Sequence, residues 1–209
     1  MPARLLRLAL AAMLPCLPAC NLLVPLALVG KHQKKILPEF DKLPGKRVAV
    51  LVWTDPATLF DYPYARLELA TFVSDKLQYE LAQRKQTADV VDPRDIEDFL
   101  EKDLDAAVDP RRVGEHFKAD YVIYLQIIEF QIRSADEPQF LRGRIEASTT
   151  VYEIGGDEER FPLTPVQTLF PEHAPILLTA TNAPLVREAT YRAFAEQVAR
   201  KFYEYTIQL

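Results

Sequence analysis

"GKRVAVLVW", residues 45–53, places Val48, Ala49, Val50, Leu51 and Val52 in an unbroken apolar run. A strand with one wet face alternates polar and apolar residues. One without a polar position is covered on both faces, so this segment reads as a central strand of its sheet. The next stretch, "TDPATLFDYPY" at 54–64, is rich in turn formers and aromatics and reads as a loop. A helix over about 64–84 follows, in which Leu67, Ala70, Ser74, Leu77 and Leu81 recur at three- and four-residue spacing and face the sheet.

Further along, Asp89 to Val91 gives a short strand, and Asp92-Pro93 opens a helix. The aspartate can cap the free N–H groups, proline in the first turn loses no bond, and Asp95 complements the positive end. Asp109-Pro110 repeats the device for a helix ending near Phe117, with Val113 and Phe117 inward. "ADYVIYLQIIEFQIR", 119–133, is dense in β-branched and aromatic residues and reads as the strongest strand. In "LRGRIEASTTVYEI", Leu141, Ile145, Ala147 and Val151 alternate with Arg142, Arg144, Glu146 and Ser148. That strand has one wet face, which favours antiparallel pairing. "GGD" at 155–157 supplies turn residues for a hairpin into a strand within 160–170. Asn182 is expected to cap a helix over about 184–205 carrying Tyr191, Phe194, Val198, Phe202 and Tyr205 on one side. The sum is an α/β fold: a mixed parallel and antiparallel sheet packed with helices, as a single compact domain over 45–209.

The amino terminus has a different character. Arg4 and Arg7 precede an apolar segment, and Leu17-Pro18-Ala19 leads to Cys20. This order resembles the signal of bacterial lipoproteins, in which the chain is cut before the cysteine once its sulfur carries diacylglycerol. Residues 1–19 would then be a signal peptide, and 20–44, including the charged, proline-punctuated "KHQKKILPEFDKLP", a lipid-anchored tether. At roughly 0.8 kcal/mol per buried methylene, two or three acyl chains anchor stably. The rival is an uncleaved helix, since Leu8 to Gly30 carries no charge and about 20 residues cross a bilayer. Pro15, Pro18 and Pro25 interrupt such a helix, and Lys31, Lys34 and Lys35 after it would hold the body in the cytoplasm.

The chain has 209 residues and a net charge of −5, and without Arg4 and Arg7 the body is more acidic still. It has no basic stripe for nucleic acid, so no nucleic-acid partner is expected. Both cysteines, Cys16 and Cys20, lie in the amino-terminal region, so the body has no thiol for a disulfide, a zinc site or a nucleophile. A thiol-free body suits an oxidising envelope compartment.

"GKRVAVLVW", "YARLELATFVSDKLQYELAQ", "VGEHFKADYVIYLQI" and "TTVYEIGGD" together resemble the TolB amino-terminal-domain-like group of bacterial envelope proteins. That group includes the curli secretion lipoprotein CsgG and the penicillin-binding-protein activator LpoB. The chain departs from TolB in having no blade-length repeats. It departs from CsgG in lacking a pair of long alternating segments for membrane-crossing strands. The resemblance implies a non-catalytic lipoprotein that binds or assembles with envelope machinery in the periplasm, by a partner protein or by self-association.

The chemistry-bearing residues fit that expectation. His32, His116 and His173 have no second ligand at metal spacing. Ser74, Ser134 and Ser148 lie outside a nucleophile-elbow context, and Gly155-Gly156 closes a hairpin rather than a phosphate loop. No catalytic residue, metal or cofactor is expected. Two surfaces stand out. Beyond the carboxyl end of the first strand, where open α/β sheets gather ligands, lie Trp53, Asp55, Phe60, Tyr62 and Tyr64, an aromatic recognition patch unless Trp53 and Phe60 fold inward. His173, beside Glu172 in the proline-bracketed "PEHAP", is the other, and would centre an envelope hydrolase if the protein were an enzyme. Cys20→Ala is expected to abolish incorporation of a clickable fatty acid and to release the protein from membranes. A variant that stays membrane-bound identifies the uncleaved helix instead.

Overall fold

The computed structural model describes residues 33–134, 136–156 and 160–208. The apolar run forms β2 (Arg47–Trp53). It pairs in parallel with β3 (Asp89–Val90) on one side and with β4 (Tyr121–Arg133) on the other, in register from Val48↔Tyr121 to Trp53↔Gln126. β4 turns back antiparallel into β5 (Phe140–Glu153), and β5 into β6 (Arg160–Phe170), giving the order β3-β2-β4-β5-β6. A short β7 (Ile176–Leu177) pairs with the start of β5. Gly155 takes the positive φ that the hairpin requires, at 81°. These strands belong to a unit spanning Leu37–Tyr205. Described separately, β1 (Gln33–Ile36) and β8 (Tyr205–Gln208) form a two-stranded sheet.

Among the described residues there are five α-helices: α1 (Pro56–Asp61), α2 (Ala65–Gln83), α3 (Pro93–Lys102), α4 (Pro110–Phe117) and α5 (Asn182–Ala199). Val48, Val50 and Val52 point to one face of the sheet, against Leu69, Val73 and Leu77 of α2 and Tyr191, Phe194 and Val198 of α5. Ala49 and Leu51 point to the other, against Ile96 and Leu100 of α3 and Val113 of α4. The parallel part of the sheet is thus covered twice, as the unbroken apolar run requires. On β5, Leu141, Ile145, Ala147 and Val151 are buried while Arg142, Arg144, Glu146 and Ser148 are not, so the antiparallel part keeps one wet face. The sheet is mixed and the fold is α/β, as expected.

Two glycines set how closely the helices lie on the sheet. A Cβ at Gly143 of β5 would stand 2.8 Å from the Cβ of Thr190 on α5 and overlap its side chain. A Cβ at Gly114 of α4 would come within 2.9 Å of Val122 on β4 and overlap Ile154. Only hydrogen fits at either contact.

Three local expectations change. The segment read as a loop at 54–64 contains α1, because Asp55-Pro56 is a third Asp-Pro helix start. The amphipathic face of α2 is wider than the expected stripe: Ala65, Leu69 and Val73 are buried as well, and Leu67 is only half-buried. The last helix ends at Ala199, passes through a 3₁₀ turn (Arg200–Phe202), and becomes extended at Tyr203, so Tyr205 lies on a strand. Asn182 does not cap it with its side chain. The hydroxyl of Thr179 accepts from the Asn182 N–H at 3.0 Å instead.

Within 37–44, expected as part of a tether, two side chains enter the core. Phe40 and Leu43 are buried, and Phe40 packs edge-on to Tyr121 at 5.2 Å. The backbone carbonyl of Lys201 accepts from the N–H groups of Glu39 (2.8 Å) and Phe40 (3.1 Å). The Glu39 carboxylate accepts from the Thr164 N–H (2.7 Å), the Thr164 hydroxyl and the buried Lys201 ammonium (3.0 Å). Burial pushes the Glu39 carboxyl up, but the bonds from Thr164 and Lys201 outweigh it and hold the pKa below its ordinary value. A depressed carboxylate contributes stability above its unfolded pKa and loses it as pH falls through the folded one. Glu39→Gln should therefore lower the urea midpoint at neutral pH. The gap from the native protein should begin to close as pH falls below about 4, the ordinary glutamate range, and vanish once pH has passed the depressed folded value.

Candidate functional site

The carboxyl end of β2 carries the expected patch, and the fold gives its members different duties. Asp55 is spent locally. Its carboxylate accepts from the Thr58 hydroxyl (2.6 Å) and from the N–H groups of Ala57 (2.9 Å) and Thr58 (3.0 Å), capping α1. Those bonds, the Thr58 hydroxyl foremost, hold its carboxyl below the usual range. Trp53 is half-buried and packs against the core formed with α3 and α4. Phe60 and Tyr64, by contrast, are 85% and 70% exposed, so Trp53 goes inward and Phe60 does not.

Tyr62 connects the patch to the interior. Its ring meets Phe130 at 5.0 Å, Phe130 meets Tyr191 at 6.0 Å, and Tyr191 meets Phe72 at 5.8 Å. Burial raises the pKa of the Tyr62 phenol, and the positive charges of Arg133 and Arg187 oppose the rise. Like any tyrosine, it is protonated at neutral pH and able to donate one hydrogen bond.

Tyr62 also forms part of the wall of a hollow of about 230 Å³. Ile132 at the end of β4, Leu141 at the start of β5, Leu178 after β7, and Ala183 and Pro184 at the start of α5 give it apolar surface. Arg133 and Arg187 add two guanidinium groups. Arg133 is exposed and, among the described residues, has no carboxylate within ion-pair distance. Arg187 has Glu68 only at 4.0 Å.

His173 is not part of this hollow. It stands exposed in the loop between β6 and β7, held nearby through the backbone, where Arg142 donates to the carbonyl of Glu172 at 2.8 Å. Among the described residues its imidazole has no hydrogen bond or ion pair, so it has no acid to orient it. No group of three His, Cys, Asp or Glu among the described residues could hold a metal ion. No described helix is long and apolar enough to cross a membrane, and Cys20 lies outside the described residues.

No protein family and no curated protein matches the chain. Solved structures do. The PelC dodecamer from Paraburkholderia phytofirmans is similar at 9% identity and a TM-score of 0.41, covering 82% of this chain and 98% of that one. A variant of the same dodecamer gives 9% and 0.44 at the same coverage. The lipoprotein GNA1162 from Neisseria meningitidis gives 11% and 0.36, covering 72% of this chain and 98% of that one. Likeness at this level assigns neither a partner nor an assembly.

The expected patch thus divides. Trp53 and Asp55 serve the scaffold, Phe60 and Tyr64 face outward, and Tyr62 joins a hollow that sequence reasoning missed. Arg133, Leu178 and Arg187 come from separate segments with no shared spacing, so only the Tyr62 side of the hollow had a sequence signal. Asp55→Ala should remove the cap of α1 and cost about 1 kcal/mol. Faster amide hydrogen exchange over 56–61, with exchange in β2 unchanged, is the expected readout.

Proposed function

We propose that this is a non-catalytic, lipid-anchored protein of the cell envelope, held through Cys20, whose body binds another envelope component or a second copy of itself. The observation that carries the binding part is the exposed pair Phe60 and Tyr64 on a helix and connector positioned by β2 and packed through Tyr62. Aromatics cost little entropy to immobilise and are enriched where partners bind. A capped helix presents them more firmly than an open loop would. The anchoring part is supported by the approach to Cys20, and the accessory role agrees with the resemblance to the TolB-like envelope group. The hydrolase alternative loses its motive, since His173 lacks the oriented acid that it requires.

A photo-activatable phenylalanine analogue placed at Phe60 or at Tyr64 in the full chain, expressed in cells, tests the binding part. Discrete adducts are expected from both positions, and none from Leu104, equally apolar and 71% exposed but on the 3₁₀ turn (Leu104–Val108) after α3. Adducts of equal yield from all three, or from none, overturn it.

A further inference from the structure

We propose that the hollow beside Tyr62 is a binding site for a carboxylate carried on a compact apolar body. The inference deepens the partner-binding reading and rests on it only for where the ligand comes from.

Three observations converge. The first is an imbalance of charge. In a chain of net charge −5, Arg133 has no ion pair among the described residues, and Arg187 has one carboxylate at the limit of contact. Two guanidinium groups line one hollow whose wall contains no carboxylate, which leaves capacity for an anion. Arginine presents a planar fork matched to carboxylate geometry. The second observation is the wall. Ile132, Leu141 and Leu178 offer nothing to a strongly hydrated ion such as sulfate, but they suit an alkyl body. Tyr62, whose phenol is protonated at neutral pH like any tyrosine, adds a third donor to the same wall.

Size is the third observation. At roughly 30 Å³ per water-sized atom, about 230 Å³ holds about eight heavy atoms. That is about the size of a leucine side chain with its Cα and carboxylate, or of a six-carbon acid. Exposed apolar side chains next in the chain to members of the wall support the first source. Phe60, Tyr64, Leu177 and Leu185 are all more than half exposed, and each lies within two residues of a member of the wall. A fatty acid leaves these side chains bare, whereas a polypeptide ending in an apolar residue has further surface to set against them while its terminal carboxylate meets the arginines.

Ligand-detected NMR titration of the full chain in detergent tests this with three probes: N-acetyl-leucine, N-acetyl-leucinamide and hexanoate. N-acetyl-leucine is expected to bind, and the uncharged amide about tenfold or more weakly. Arg133→Gln, at an exposed position that leaves the core intact, should weaken N-acetyl-leucine by a similar factor. Ala183→Leu, which fills the hollow, should remove binding while the circular dichroism stays native. Hexanoate binding without N-acetyl-leucine keeps the site but assigns it to free acids rather than chain ends. Equal binding of acid and amide, an unchanged affinity in Arg133→Gln, or no binding at millimolar probe overturns the proposal. The cross-links from Phe60 and Tyr64 report on partner binding independently, so either idea can fail alone.

Discussion

The pairing of β2 with β4 is the constraint on which the rest of the unit depends. Six successive residue pairs bring two strands together with no polar side chain on β2 between Val48 and Val52. Each such aliphatic side chain contributes roughly 1.5–3 kcal/mol only if both faces are dry. That requires helices on both sides: α2 and α5 on one, α3 and α4 on the other. The same pairing fixes where β2 ends, and so where Trp53 turns inward and α1 begins.

From β4 outward the demands relax. β5 needs cover on one face only, and α5 provides it with the help of the close contact at Gly143 and Thr190. Because α5 is drawn down there, its first turn lies beside the ends of β4 and β5, where the hollow forms. The site is thus a product of packing: helix, strand end and connector meet imperfectly at the border between the doubly covered and singly covered parts of the sheet. Its arginines come from different elements, Arg133 from the end of β4 and Arg187 from α5.

Much of this was legible in the chain. The unbroken run in β2, the alternation in β5 and the Asp-Pro starts of α3 and α4 each express one local rule, and each held. The third Asp-Pro, at 55–56, obeys the same rule but was outweighed by the surrounding aromatics, which read as loop. Phe40 and Leu43 carry no periodicity, since they fill gaps in an irregular segment whose backbone is fixed by Lys201. The end of α5 at Ala199 was hidden because Phe202 continues the apolar spacing after the helix has tightened and stopped. Arg133 and Arg187 could not be paired from sequence, because what joins them is the approach of α5 to the end of β4.

The outermost long strand, β6, carries Pro162 and Pro165, and the N–H of Thr164 between them is already taken by the Glu39 carboxylate. At the opposite edge β3 is only two residues long. The prolines and the occupied Thr164 N–H interrupt the backbone ladder on one border, and the other is cut short by the length of β3. A foreign strand laid along β6 would meet a break in the middle of its path, and a polypeptide rich in β-structure is spared one route to indiscriminate stacking with its own copies.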